Sequence, residues 1–251
     1  MKKFCTALVV VLFGMCAVFS AGIEEDATYL VDAPTEEAVE VQVIALKGPT
    51  SMGLVSLMDE ATEGPVEGNA YTFSIAGAVD EVTSRLVRGD VDIAAVPANL
   101  ASVLYNNTQG AVKVLAINTL GVLYIVESGN AVHSLDDLRG KTIFASGKGA
   151  TPEYALQYLL EEYGIADDVT IEWKSEHAEC VAALSQTPGG IAMLPQPFVT
   201  TAMVKNPDIR IALDMTRLWD DVQQTSDAPS TLVTGVVVGR TAFLEQNPQA
   251  V

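Results

Sequence analysis

The stretch Tyr71–Tyr105, YTFSIAGAVDEVTSRLVRGDVDIAAVPANLASVLY, decides how the chain is read. Tyr71–Ile75 is a short apolar run that predicts a strand. Val79–Arg88 reads as a helix. Ile93–Val96 is a second strand and Asn99–Tyr105 a second helix. The apolar runs are continuous, with no polar alternation, as in strands buried on both faces of a helix-covered parallel sheet. Strand, turn and helix repeating about every twenty residues is the rhythm of βαβ units.

The rhythm extends in both directions. Upstream, Val41–Leu46 reads as a strand, Gly48-Pro49 as a turn and Thr50–Glu60 as a helix, with Met52, Val55, Leu57 and Met58 on one face. Downstream, Val112–Ile117 is a strand. A second set then begins with Val122–Val126, a short turn at 134–138 with Ser134 placed to cap it, and the strand Thr142–Ala145. Thr151–Tyr163 follows as a helix, with Pro152 in its first turn and Gly164 beyond its end. Val169–Trp173, Glu176–Leu184, Ile191–Leu194, Phe198–Val204 and Ile209–Leu213 continue as strand, helix, strand, helix, strand. Asp220–Ser230 is polar and turn-rich, Leu232–Val238 is a strand, and a helix starts at Ala242.

This predicts two α/β lobes, residues 41–125 plus 231–251 and residues 126–230. The chain would cross between them at Thr119–Gly129 and Pro229–Gly235. Ligand crevices in such sheets lie beyond the carboxyl ends of the strands, so the cleft is expected between the lobes.

The remaining residues carry other signals. Residues 1–22 read as a secretory leader: Lys2 and Lys3, an apolar run from Ala7 to Phe19, then small residues at Ser20, Ala21 and Gly22. Cys16 offers a second route, cleavage ahead of a lipid-modified cysteine, although Met15 suits that poorly. Residues 23–40 are an acidic tether without a basic residue. The formal charge is -18, and removing the leader takes two lysines and no acid, giving -20. Such a chain is a poor ligand for nucleic acid or anionic membranes. Past the leader only Cys180 remains, so no intrachain disulfide is available and packed cores must supply the stability.

Three strand-to-helix turns gather the chemistry: Lys47-Gly48-Pro49-Thr50-Ser51-Met52, Ser146-Gly147-Lys148-Gly149-Ala150-Thr151-Pro152 and Leu194-Pro195-Gln196-Pro197. Helix N-termini there would aim unpaired N–H groups at an anion or carbonyl, and the glycines would let it approach the backbone. Each is also what an ordinary cap or turn looks like. Other readings are weaker. Gly140-Lys141-Thr142 lacks the upstream glycine of a phosphate-binding loop, since Leu135 stands there, and it precedes a strand. Gly147-Lys148-Gly149 lacks the third glycine of a dinucleotide fingerprint because Pro152 occupies it. His177 and Cys180 could hold a metal or form a thiol nucleophile, but they fit better as a helix face with a buried cysteine. No further pair supports a metal, and no cofactor is expected.

Three segments resemble the type II periplasmic-type solute-binding proteins of ABC importers, in the branch that takes sulfonates, taurine, nitrate and thiamine precursors. They are Gly89-Asp90-Val91-Asp92-Ile93-Ala94-Ala95-Val96-Pro97, Ser134-Leu135-Asp136-Asp137-Leu138-Arg139-Gly140-Lys141-Thr142-Ile143 and Phe243-Leu244-Glu245-Gln246-Asn247-Pro248. The resemblance implies an exported, non-enzymatic, monomeric receptor that closes on a small organic anion and delivers it to a permease with its ATPase. It implies contacts from Lys47–Met52, Asn99, Thr119-Leu120, Ser146–Thr151 and Pro195-Gln196, and stacking on Tyr124 or Trp219 if the ligand is heteroaromatic. Relatives of this kind continue for several helices after the third segment, which implies a first lobe incomplete at its C-terminal end. Two other functions stay open on the same fold: an enzyme, such as one making the thiamine pyrimidine, and a sensory binding module. The enzyme would need a cysteine-rich motif, and a single mature cysteine disfavours it.

Overall fold

A computed structural model describes residues 37–250. The leader and most of the acidic tether lie outside the described residues. Two five-stranded sheets organise the rest. In the first, β1 (Val39–Leu46) pairs in parallel with β2 (Asn69–Ala76) and β3 (Ile93–Pro97). The late strand β10 (Val233–Arg240) runs antiparallel between β3 and β4 (Val112–Leu120). In the second, β6 (Thr142–Ala145) pairs in parallel with β7 (Thr170–Trp173) and β8 (Ile191–Pro195). Here β5 (Leu123–Ser128) runs antiparallel between β8 and β9 (Ile209–Asp214).

The expectation of purely parallel sheets is thus corrected. Each sheet takes in one strand that has just arrived from the other lobe, and that strand runs against its neighbours. An antiparallel strand inside a covered sheet is as continuously apolar as a parallel one, so hydropathy could not tell them apart.

Helices cover the sheets. The first carries α1 (Pro49–Met52), α2 (Val55–Glu60), α3 (Val79–Arg88), α4 (Ala98–Asn107) and α9 (Thr241–Gln246). The second carries α5 (Thr151–Glu162), α6 (His177–Gln186), α7 (Phe198–Lys205) and α8 (Met215–Gln223). Leu156, Leu159 and Leu160 of α5 pack on Ile125, Ile143 and Met193 of the second sheet. Val82 and Leu86 of α3, with Leu100 and Leu104 of α4, pack on Ile44, Val96 and Val238 of the first.

Three sequence expectations change locally. The helix at Thr50–Glu60 is two short ones. Asn118 of β4 donates through Nδ2 to the Thr50 carbonyl at 2.8 Å, and Gly53 lies so close to Asn118 that a Cβ would meet its backbone oxygen at 2.9 Å. Asp220–Ser230, expected to be turn-rich, begins inside α8 and becomes irregular only after Gln223. Asp214 caps the helix by accepting from the Thr216 and Arg217 N–H groups. Val39 and Glu40, at the end of the tether, already belong to β1, held by pairing with Asn69 and Ala70.

The chain crosses between sheets at Gly121-Val122 and again between Gln223 and Val233. The crossings run side by side: Gly121 N–H donates to the Leu232 carbonyl at 2.9 Å, and Thr234 Oγ donates to the Thr119 carbonyl at 3.3 Å. Gly121 and Val122 both have positive φ, 61° and 70°. Glycine adopts this freely, but for a β-branched residue it is strained. A side chain at Gly121 would also collide with Thr216 of the second lobe.

Candidate functional site

A cavity of about 400 Å³ lies where the carboxyl ends of both sets of parallel strands face each other. From the first lobe its wall takes Leu46, Lys47, Pro49 and Thr50 after β1, Gly77–Asp80 after β2, and Pro97 after β3. From the second it takes Ser146–Lys148, Ala150 and Pro152 after β6, Lys174–Ala178 after β7, and Pro195 with Phe198 after β8. Val122, Leu123 and Thr234 of the crossings form its floor.

Three helices of both lobes point their N-termini at this space, and none is capped by a side chain. The residues at the cap positions are Ala78 for α3, Ala150 for α5 and Glu176 for α6. Alanine offers no acceptor and the Glu176 side chain makes no cap bond, so first-turn N–H groups such as those of Val79 and Ala178 stay open to something in the cavity. Among the other helices only α8 is capped by its own cap residue, Asp214, while α1, α2, α4, α7 and α9 also lack such a bond.

The charges are mixed. Lys47, Lys148 and Lys174 line the cavity with Asp80 and Glu176. Lys174 Nζ donates to Glu172 at 2.5 Å and sits 5.3 Å above the Phe144 ring, and the glutamate holds its ammonium more firmly protonated than usual. Ser146 Oγ is 2.5 Å from His177 Nδ1, and the imidazole packs against Phe198 with ring centres 4.9 Å apart. Burial pushes His177 down to about 4, so the ring is neutral at pH 7. Cys180 is fully buried one turn along the helix, and burial raises its thiol above the ordinary value. Among the described residues no group of three or more His, Cys, Asp or Glu side chains is arranged to hold a metal ion.

The residues expected from sequence divide into four groups. Lys47, Pro49, Thr50, Ser146, Gly147, Lys148, Ala150 and Pro195 line the cavity. Gly48, Ser51, Gly149 and Gln196 belong to the same loops but serve the turns. Ser51 Oγ donates to the Gly48 carbonyl, Gly149 N–H donates to Glu153, and Gln196 Oε1 accepts from Thr200. Met52 and Leu120 project away and are exposed, and Thr119 is buried beside Gly235. Asn99 and Thr151 contact each other across the cleft.

Neither expected aromatic lies on the wall. Trp219 packs against Tyr158 and donates to the Ser230 carbonyl, and Tyr124 packs in the core beneath α6 and α7. Phe198 lines the cavity in their place. Asp80, Lys174, Glu176 and His177 were missed as wall residues. A signal existed, because Gly77-Ala78 and Ser175-Glu176 are also strand-to-helix turns without a good capping residue.

Residues 53–231 match the family model of the ABC transporter, phosphonate, periplasmic substrate-binding protein. The chain belongs to this family. Solved structures share the fold of this substrate-binding protein. An ABC transporter protein from Parabacteroides distasonis aligns with TM-score 0.65 and 20% identity, over 85% of this chain and 69% of that one. The alkanesulfonate-binding protein SsuA from Xanthomonas axonopodis pv. citri, bound to MOPS, aligns with TM-score 0.61 and 17% identity, over 85% and 70%. The aliphatic sulphonate binding protein SsuA from Escherichia coli aligns with TM-score 0.63 and 15% identity, over 84% and 68%. Among curated proteins no sequence matches. The substrate-binding protein is thus the extracytoplasmic component of an ABC importer, which takes a small molecule and passes it to a permease. Among the described residues no helix is long and apolar enough to cross a membrane.

Proposed function

We propose that the cavity captures a small organic anion, a phosphonate or sulfonate, by hinge closure, and that the protein catalyses no reaction on it. One observation carries this reading: uncapped N-termini of α3, α5 and α6 converge from both lobes on a cavity that also holds Lys47, Lys148 and Lys174. Open N–H groups and lysines together favour an anion, and the partial positive charge of each helix start adds to them. A ligand held by both lobes makes its full set of contacts only when they meet, so binding favours the closed form.

The binding residues on this reading are Lys47, Pro49, Thr50, Ser146, Gly147, Lys148, Ala150 and Pro195, with His177 added. The first lobe is built on β1–β4 and β10, the second on β5–β9, and Gly121-Val122 serves as one hinge strand. Export by the leader at residues 1–22, release as a soluble monomer and delivery to a permease driven by its ATPase complete the reading. Mass spectrometry of the mature N-terminus tests the export step: a start near residue 23 supports secretion, and a lipid-modified Cys16 means anchoring instead.

Isothermal titration of the full chain with methylphosphonate, ethanesulfonate and uncharged glycerol tests the ligand class. Binding of an anion at about 1–100 μM, without glycerol binding, is expected, and Lys148→Ala should weaken it about tenfold. No heat from either anion up to about 1 mM sinks the reading.

A further inference from the structure

We propose that Asn99 and Thr151 form a latch that holds the two lobes together without touching the ligand. The inference rests on the receptor reading for its purpose, but the contact itself stands on geometry. Asn99 lies in the first turn of α4, in the first lobe, and Thr151 opens α5 in the second. Two hydrogen bonds join them, and a third ties Asn99 to the same loop. Thr151 Oγ1 accepts from the Asn99 backbone N–H at 3.4 Å and donates to Asn99 Oδ1 at 3.2 Å. Asn99 Nδ2 donates to the Gly149 carbonyl at 2.9 Å.

The helix it caps explains why this contact matters. Pro97 stands at the cap position of α4 and has no side-chain acceptor, so the first turn lacks a cap from its own lobe. The threonine of the opposite lobe supplies one. Opening the cleft would break all three bonds and return the α4 N–H to water. The closed form is therefore favoured by contacts that exist whether or not a ligand is present, which adds to the apparent affinity of any ligand that needs closure.

The same bonds position the wall. Gly149 and Thr151 flank Ala150, and the loop also carries Ser146, Gly147 and Lys148 of the cavity. Asn99 is thus a positioning residue for that loop. Neither Asn99 nor Thr151 lines the cavity, so changing them alters closure and removes no direct ligand contact.

Hydrogen–deuterium exchange of the full chain, without ligand, tests the latch. Thr151→Val should lower protection about tenfold at residues 98–101 and 147–153, while strands β1 and β6 keep theirs. Thr151→Ser, which keeps the hydroxyl, should restore it. Asn99→Ala is the second variant should the valine disturb folding, and it should loosen the same two segments. Unchanged protection in both variants overturns the latch. So does an equal loss in β1 and β6, which would make the residues merely structural. With methylphosphonate as the probe, Thr151→Val should speed release about tenfold at an unchanged association rate. If the wild type ignores methylphosphonate and ethanesulfonate, the organic-anion reading falls while the exchange result still decides the latch.

Discussion

The two sheets have one topology and unequal cover. Both place an antiparallel strand from the opposite lobe fourth in a five-strand order, after three parallel strands. The second sheet is helix-covered on both faces. One face meets α5 and α8 over seventeen buried apolar side chains among the described residues, and the other meets α6 and α7 around Cys180, Val181 and Leu184. The first sheet is deep on one face only. Its other face has six buried apolar side chains among the described residues, under α9 and the turn at Pro248–Ala250. Along its edges Ile75, Val114, Ile117 and Leu120 are each more than half exposed. Identical topology therefore does not bring identical stability, because burial of apolar area supplies most of the favourable energy.

The comparison can be broken most sharply at the buried ion pairs. In the second lobe Glu127, 1% exposed, pairs with Arg210 and accepts from the Ala131 and Val132 N–H groups. In the first, Asp92, 8% exposed, pairs with Arg240 at 2.6 Å and accepts from the Gln42 N–H. Glu127→Ala should cost about 4 kcal/mol in a urea melt, because it leaves the Ala131 and Val132 N–H groups and the partly exposed Arg210 without their acceptor, and Asp92→Ala about 2–3. Equal losses would mean that the two lobes are equally closed to water.

Core truncation comes next. Leu159→Ala, beneath the well-covered face, should cost about 3 kcal/mol, and Phe243→Ala, on the thin face, about 2 despite its larger side chain. Thermal denaturation reads both, and a larger loss at Phe243 would reverse the ranking of the lobes.

A pH difference sharpens the picture at the cavity wall, where the second lobe contributes an imidazole. His177 sits near 4 when folded and near 6.5 when unfolded, so the unfolded chain takes its proton first. Stability is fully present above 6.5, falls as pH drops toward 4, and stops falling below that. Relative to His177→Gln, the wild type should lose about 1–2 kcal/mol between pH 7.5 and 5. Parallel stability curves for the two proteins would show that the ring is not buried in solution.

The smallest effect belongs to the surface. Arg88 and Asp90 pair at 2.8 Å in the first lobe with both side chains largely in water. Arg88→Ala should lower the unfolding free energy in a urea melt by no more than about 0.5 kcal/mol, and a larger loss would mean that the ion pair helps to hold α3 on its sheet.

Much of this was legible in the linear chain. Continuous apolar runs separated by glycine turns located nearly every strand and helix, since strand and helix periods leave different patterns in hydropathy. The cavity loops after β1, β6 and β8 were legible through Gly48, Gly147 and Pro195, whose backbone geometry is local. The loops at Gly77-Ala78 and Ser175-Glu176 carried a fainter signal, the lack of a capping side chain where a helix starts. The break at Gly53 was hidden, because Asn118 sits 65 residues away and only the folded sheet brings it there.

The sequence by itself determined the two α/β units, the loops that end the strands and the family, because each rests on local patterns that survive without knowing what lies opposite. Tertiary structure alone decided which strands run backwards, which residues face the cavity and which face each other. Asn99 and Thr151 make the point: both stood among the expected ligand contacts, and folding turned them toward one another. Side-chain direction across a cleft depends on how two lobes meet, and no property of either segment alone encodes that meeting.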